Sequence, residues 1–160
     1  MPGEAGDPGP GGRDANTIPP KLVADAILNA TADAIVVCDR NGNICFWNPG
    51  ASRIFGFEAT EALGRSLDIL IPERLQTRHW EGFHNMMSSG QSRYPEGHLL
   101  SAPGRRKDGS QVSIEFTVVA LKDDQGRVSN IVALMRDVTA RFEELKALRK
   151  QLRGAVSGGE

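Results

Sequence analysis

The chain has few cysteines: two among 160 residues, Cys38 and Cys45. That is too few for a disulfide framework and fits a reduced, cytoplasmic setting. It lacks a surplus of either charge, with 19 Lys and Arg against 20 Asp and Glu and a formal net charge of −1. A nucleic-acid-binding domain normally shows a basic excess, so nucleic acid is not an expected partner. No uninterrupted apolar run reaches the roughly 18 residues of a membrane span. Met1-Pro2-Gly3-Glu4 lacks the basic start and apolar stretch of a secretory signal. A Gly-x-Ser-x-Gly elbow, a phosphate loop and a CxxC pair are also missing, which removes the commonest nucleophile, nucleotide and redox motifs.

What remains is enough for one core: 39% of residues are apolar and 24% charged. The first twenty residues hold five of the nine prolines and five of the eighteen glycines. Segment 1–19 offers little to bury and reads as a disordered tail. Residues 154–160 read as a frayed end. One folded domain is expected over 20–153.

Lys21 to Ala30 reads as a short amphipathic helix. Ala34 to Cys38 and Ile44 to Trp47 read as strands of a hairpin turned at Asn41-Gly42. Pro49 suits the first turn of a helix running to Phe55. Phe57 to Leu63 and Glu73 to Ser89 carry further helical patterns, closed by Gly64 and Gly90. Strands follow around Tyr94–Ser101, Ser110–Leu121 and Val128–Met135. An exit helix over 137–153 is expected, with Asp137 as its cap. The order predicts an α+β fold: a five-stranded antiparallel sheet, short helices on one face, and flanking terminal helices.

The motifs Asp39-Arg40-Asn41-Gly42, Asn48-Pro49-Gly50-Ala51, Arg106-Lys107-Asp108-Gly109 and Met135-Arg136-Asp137-Val138-Thr139 stand in the order of a PAS domain. Over roughly 24–142 the chain resembles that family, which implies the fold above. It does not imply one ligand, because PAS folds host haem, flavin, fatty acids, small acids or nothing. A narrower resemblance lies in Ile71-Pro72-Glu73. In haem-binding PAS domains of the oxygen-sensing kinase type, the helix after this break supplies the proximal histidine. His79 stands at the matching position, seven residues after Pro72. The resemblance therefore implies haem b with His79 as axial ligand.

Physical reading of the same helix agrees. Leu75, His79, Phe83 and Met86 fall on one stripe. An imidazole amid apolar side chains must find a metal or a hydrogen-bond partner. The bland alternative is a buried histidine bonded to a carbonyl. Leu100 and Met135, on the later strands, are expected to complete the pocket, with Met135 also a candidate sixth ligand through its thioether. His84, about 140° round the helix from His79, is expected at the surface. His98 is expected on a strand surface. A zinc site from these three histidines has the wrong spacing. Where the resembling kinases carry a distal arginine, this chain has Leu99 or Leu100. Arg93, Arg105 and Arg106 are candidates to pair haem propionates. Cys38 and Cys45 stand where they could face each other across the hairpin, and they are expected as buried free thiols in the sheet; catalytic residues are unassigned.

Two functions compete. The stand-alone layout resembles haem PAS proteins that reductively degrade the nitramine N-nitroglycine and release nitrite; this enzyme reading is the first expectation. The alternative is a haem-based gas or redox sensor signalling to a partner in trans, or a module binding a small acid without haem. A homodimer is expected through the apolar faces of 21–30 and 138–152.

Overall fold

A computed structural model describes residues 17–95 and 97–157. Of the expected disordered tail, residues 1–16 lie outside the described residues, as do 158–160 of the expected frayed end. Among the described residues, five helices and five strands form in the order α1 (Pro20–Leu28), β1 (Ala34–Cys38), β2 (Ile44–Trp47), α2 (Pro49–Phe55), α3 (Ala59–Ala62), α4 (Glu73–Ser89), β3 (Leu100–Arg105), β4 (Gln111–Lys122), β5 (Val128–Asp137) and α5 (Thr139–Ser157). A 3-10 turn, Leu67–Leu70, joins α3 to α4. All strand pairings are antiparallel, in the order β2-β1-β5-β4-β3. This is the expected α+β plan.

Alternation along the strands sends one set of side chains toward the helices. Ala34, Val36 and Cys38 of β1, and Ile131 and Met135 of β5, are buried there. The main core forms where Ile54 and Phe55 of α2 meet Val36, Ile44 and Val112. A second cluster joins Phe83 of α4 to Cys38, Val128 and Ile131.

Asn48 builds the corner between β2 and α2. It is buried, and its Oδ1 accepts from the N–H groups of Ile35 (2.8 Å) and Ala51 (2.9 Å). Its Nδ2 donates to the carbonyls of Ala30 (3.1 Å) and Asp33 (3.0 Å). Two residues on, Gly50 packs so closely that a Cβ there would stand 1.9 Å from the Asp33 carbonyl oxygen. The two late motifs are tied to each other: Arg106 pairs with Asp137 at 3.0 Å and also donates to the carbonyls of Ile54 and Gln111.

Three expectations need correction. The first late strand begins at Leu100, not Tyr94, because Pro95 lacks a donor and Gly97 adopts φ +77°, which breaks an extended run. Asp137 ends β5 instead of opening a helix; its Oδ1 accepts from the Thr139 N–H at 2.9 Å, and α5 starts there and runs past Gly154 to Ser157. The cysteines do not face each other: Cys38 is buried on the helix side, whereas Cys45 is exposed. A register shift between Val37 and Cys38 separates them.

Candidate functional site

Between α4 and the helix-facing side of the sheet lies a cavity of about 470 Å³, within the range of small-molecule sites. The sheet wall follows from strand register. Leu100 pairs with Phe116, Phe116 with Met135, and Met135 with Ala34, so these side chains share one face across four strands. Val36 and Ala133 form the neighbouring row. The helix wall is set by the 3.6-residue period: Leu75, Arg78, His79, Gly82, Phe83 and Met86 all line the cavity. Thus Leu75, His79, Phe83, Met86, Leu100 and Met135 are brought around one space.

His79 is the chemically unusual member. Its Nδ1 is buried and has no hydrogen-bond partner. The bonded-carbonyl alternative therefore finds no support at that atom. Burial holds the imidazole pKa below its ordinary 6.5, against the smaller opposing pull of the Asp68 carboxylate. The neutral form, which is the metal-binding form, is favoured. The sign for stability follows. The unfolded chain takes up this proton near pH 6.5, while the folded chain resists it. Stability of the ligand-free chain therefore falls as pH drops below about 6.5, and His79→Phe removes that slope. Urea midpoints between pH 7.5 and 5 check this.

Arg78 is a lining residue that the sequence reading did not single out. It brings the one formal charge among the described lining residues and joins none of the ion pairs found among them. The expected propionate partners sit elsewhere. Arg93 is exposed and does not line the cavity. Arg105 donates to the Asp68 carbonyl at 3.0 Å, and Arg106 is held by Asp137. Leu99 is 55% exposed, so Leu100 is the leucine that faces the cavity. His84 stacks on Trp80, with centroids 6.0 Å apart. His98 lies in the loop before β3 and stacks on Tyr94. Among the described residues, no cluster of three or more His, Cys, Asp or Glu could hold a metal. Haem asks for one protein ligand and an apolar enclosure, and these residues fit that demand. Burial pushes the Cys38 thiol, also on the wall, up to about 11, so it stays protonated.

Gly82 lies one turn beyond His79. A Cβ there meets nothing within 4 Å. Gly82→Ala is expected to stabilise the chain by about 0.5–1 kcal/mol through helix propensity, read as a higher urea midpoint.

The sequence matches the PAS-fold family over residues 28–143. The chain belongs to the PAS family. Similar curated proteins include the oxygen sensor protein DosP of Escherichia coli, 28% identical over 115 residues, covering 72% of this chain and 14% of DosP. The sensor protein FixL of Bradyrhizobium diazoefficiens is 28% identical over 135 residues, covering 76% of this chain and 25% of FixL. The chain thus spans a quarter or less of these two relatives. Among solved structures, a PAS domain from Colwellia psychrerythraea superposes with a TM-score of 0.64 at 23% identity, covering 75% of this chain and 97% of that one. The PAS domain of the Cronobacter turicensis receptor RpfR, solved with C12:0, gives 0.56 at 16% identity, covering 69% and 97%. Both show the same fold. The outcome is a PAS domain with a cavity between α4 and its sheet. Among the described residues no helix is long and apolar enough to cross a membrane.

Proposed function

We propose that this chain is a haem-binding sensory PAS module. Its support is the buried, partnerless Nδ1 of His79 in the wall of an otherwise largely apolar cavity. His79 would ligate the iron of haem b. Leu75, Phe83 and Met86 from α4, and Leu100 and Met135 from the sheet, would enclose the macrocycle and keep water from it. Arg78 would pair a propionate. When bound, haem supplies an iron that takes small diatomic ligands and changes oxidation state. The similarity to an oxygen sensor protein points the same way. The account is tested by incubating the purified chain with hemin and counting haem per chain. About one haem per chain is expected; a negligible fraction would refute the reading.

The signal would leave through apolar surface. Leu22 and Ile27 of α1, and Phe142, Leu145, Leu148 and Leu152 of α5, are exposed, as are Val119 and Leu134 on the outer sheet face. A cytoplasmic homodimer covers these groups. Light scattering is expected to give about twice the chain mass, and deletion of 142–160 to shift it toward one chain. A monomer at every concentration contradicts this.

The nitramine-degrading reading rests on one observation: β3 presents Leu100, not an arginine, to the cavity. Bound oxygen would lack that donor, and a reduced haem there would be suited to giving electrons to a nitro group. Nitrite release from N-nitroglycine by the anaerobic ferrous protein supports it. No release, together with a gas-dependent change in self-association, leaves the sensor.

A further inference from the structure

The residue after His79 carries an arrangement that the cavity does not explain. Trp80 lies against the β1–β2 turn. A Cβ on Gly42 would stand 2.2 Å from Cη2 and 2.4 Å from Cζ3 of its indole, so the ring occupies the space a side chain would take. Gly42 also has φ +77°, a second reason for glycine there. The indole Nε1 donates to Asp68 Oδ1 at 2.7 Å. Asp68 in turn is fixed: its carbonyl accepts from Arg105 at 3.0 Å and from Gln76 of α4 at 3.4 Å. The Leu67 N–H donates to the Gly42 carbonyl at 3.0 Å, closing the link between the hairpin turn and the 3-10 turn.

Helix α4 needs such a fastening. Phe83 is the one buried residue along its seventeen. Trp80 meets Phe83 edge-on at 5.1 Å and His79 edge-on at 4.9 Å. The imidazole is thus braced by a ring whose contacts with Gly42 and Asp68 lie outside the cavity lining.

We propose that Trp80, seated on Gly42 and bonded to Asp68, is the positioning residue that fixes His79 in the cavity wall and couples the β1–β2 turn to the ligand site. The inference rests on the reading of His79 as the iron ligand. Outer groups that orient a ligating histidine commonly change metal affinity 10- to 100-fold when removed. Asp68 adds a negative charge on the ligand's side, which makes the imidazole a stronger donor and favours ferric iron.

The test uses the full chain loaded with hemin. Trp80→Phe keeps an aromatic ring but loses the donor, and haem release to an acceptor apoprotein is expected to rise about tenfold. Gly42→Ala is expected to do the same by displacing the indole. In a Trp80→Leu background the further cost of Gly42→Ala should shrink, because the overlap is gone and the strain of alanine at φ +77° is common to both backgrounds. Asp68→Asn keeps an acceptor but loses the charge; the melting temperature should hold while the haem midpoint potential rises. Hydrogen exchange over residues 73–89 of the ligand-free chain supplies an arm independent of haem, and Trp80→Phe should speed it. Unchanged release and exchange in Trp80→Phe, additive effects of Gly42→Ala and Trp80→Leu, or a potential indifferent to Asp68→Asn overturns the proposal. If the wild-type chain takes up no hemin, the His79 reading fails, and exchange alone then decides whether Trp80 fastens α4.

Discussion

Asn48→Leu is expected to cost at least ~3 kcal/mol and to lower the melting temperature by roughly 10 °C. The size follows from what one amide does. It satisfies two backbone N–H groups and two carbonyls that join the α1–β1 loop, β1 and α2. Leucine fills similar space and bonds none of them. Buried groups left unpaired cost about 1–3 kcal/mol each, and even partial rescue by water leaves a large sum. A domain of this size has roughly 5–15 kcal/mol to lose. Asn48→Asp is informative beside it: the two acceptor bonds survive, while the two donors become an oxygen facing the Ala30 and Asp33 carbonyls. It too should destabilise, and more at pH 7 than at pH 4. Thermal unfolding followed by circular dichroism reads both variants. A loss below about 1 kcal/mol for Asn48→Leu would show that this corner does not hold the fold together.

Much of that fold was legible because its signals are local. Asn41-Gly42 marks a hairpin turn, and Asn48-Pro49 marks a helix start; Asn48 does accept from Ala51 there. The Ile-Pro break and Gly90 bracket α4, whose bounds match the expectation. Misreadings came where tertiary contacts outweigh local pattern. Tyr94 looks like a strand residue, yet it sits before Pro95 and stacks on His98 outside the sheet. The same strand was expected to stop near Ser101, yet β3 runs through Pro103 to Arg105, because an edge strand tolerates a missing donor. The 3-10 turn at Leu67–Leu70 has no periodicity of its own to announce it. The β1–β2 register shift that turns Cys45 away from Cys38 carries no sequence signal either.

His79→Ala is expected to abolish the Soret band of hemin-treated protein, while His84→Ala and His98→Ala retain it. Of the three histidines, His79 lines the cavity, whereas His84 and His98 are stacked on other rings and do not line it. The substitution leaves apolar walls with no strong iron ligand, and Cys38, protonated at neutral pH, is a poor substitute. Fold and cavity should persist, because His79 contributes no hydrogen bond through its buried Nδ1. Added imidazole should then restore part of the band by occupying the vacated space. A normal haem spectrum in His79→Ala would remove His79 from the site.

The stripe of Leu75, His79, Phe83 and Met86 was legible from helical spacing, and the structure brings all four to the cavity. Arg78, at i+3 from Leu75, was not singled out, because a charged side chain beside an apolar stripe ordinarily turns to solvent. Trp80 was missed because its partners, Gly42 and Asp68, lie 38 and 12 residues away. Arg93, Arg105 and Arg106 were only candidates, because an arginine near a turn looks the same whether it faces a ligand or, like Arg106, ties Ile54, Gln111 and Asp137 together.

The central claim is that iron in this cavity is bound by His79. Anomalous scattering at the iron edge, from crystals of the hemin-loaded chain, tests it most directly. The account predicts a single iron peak between α4 and the sheet, at bonding distance from an imidazole nitrogen of His79. An iron peak at His84 or His98, or a cavity filled by an iron-free ligand, would contradict it.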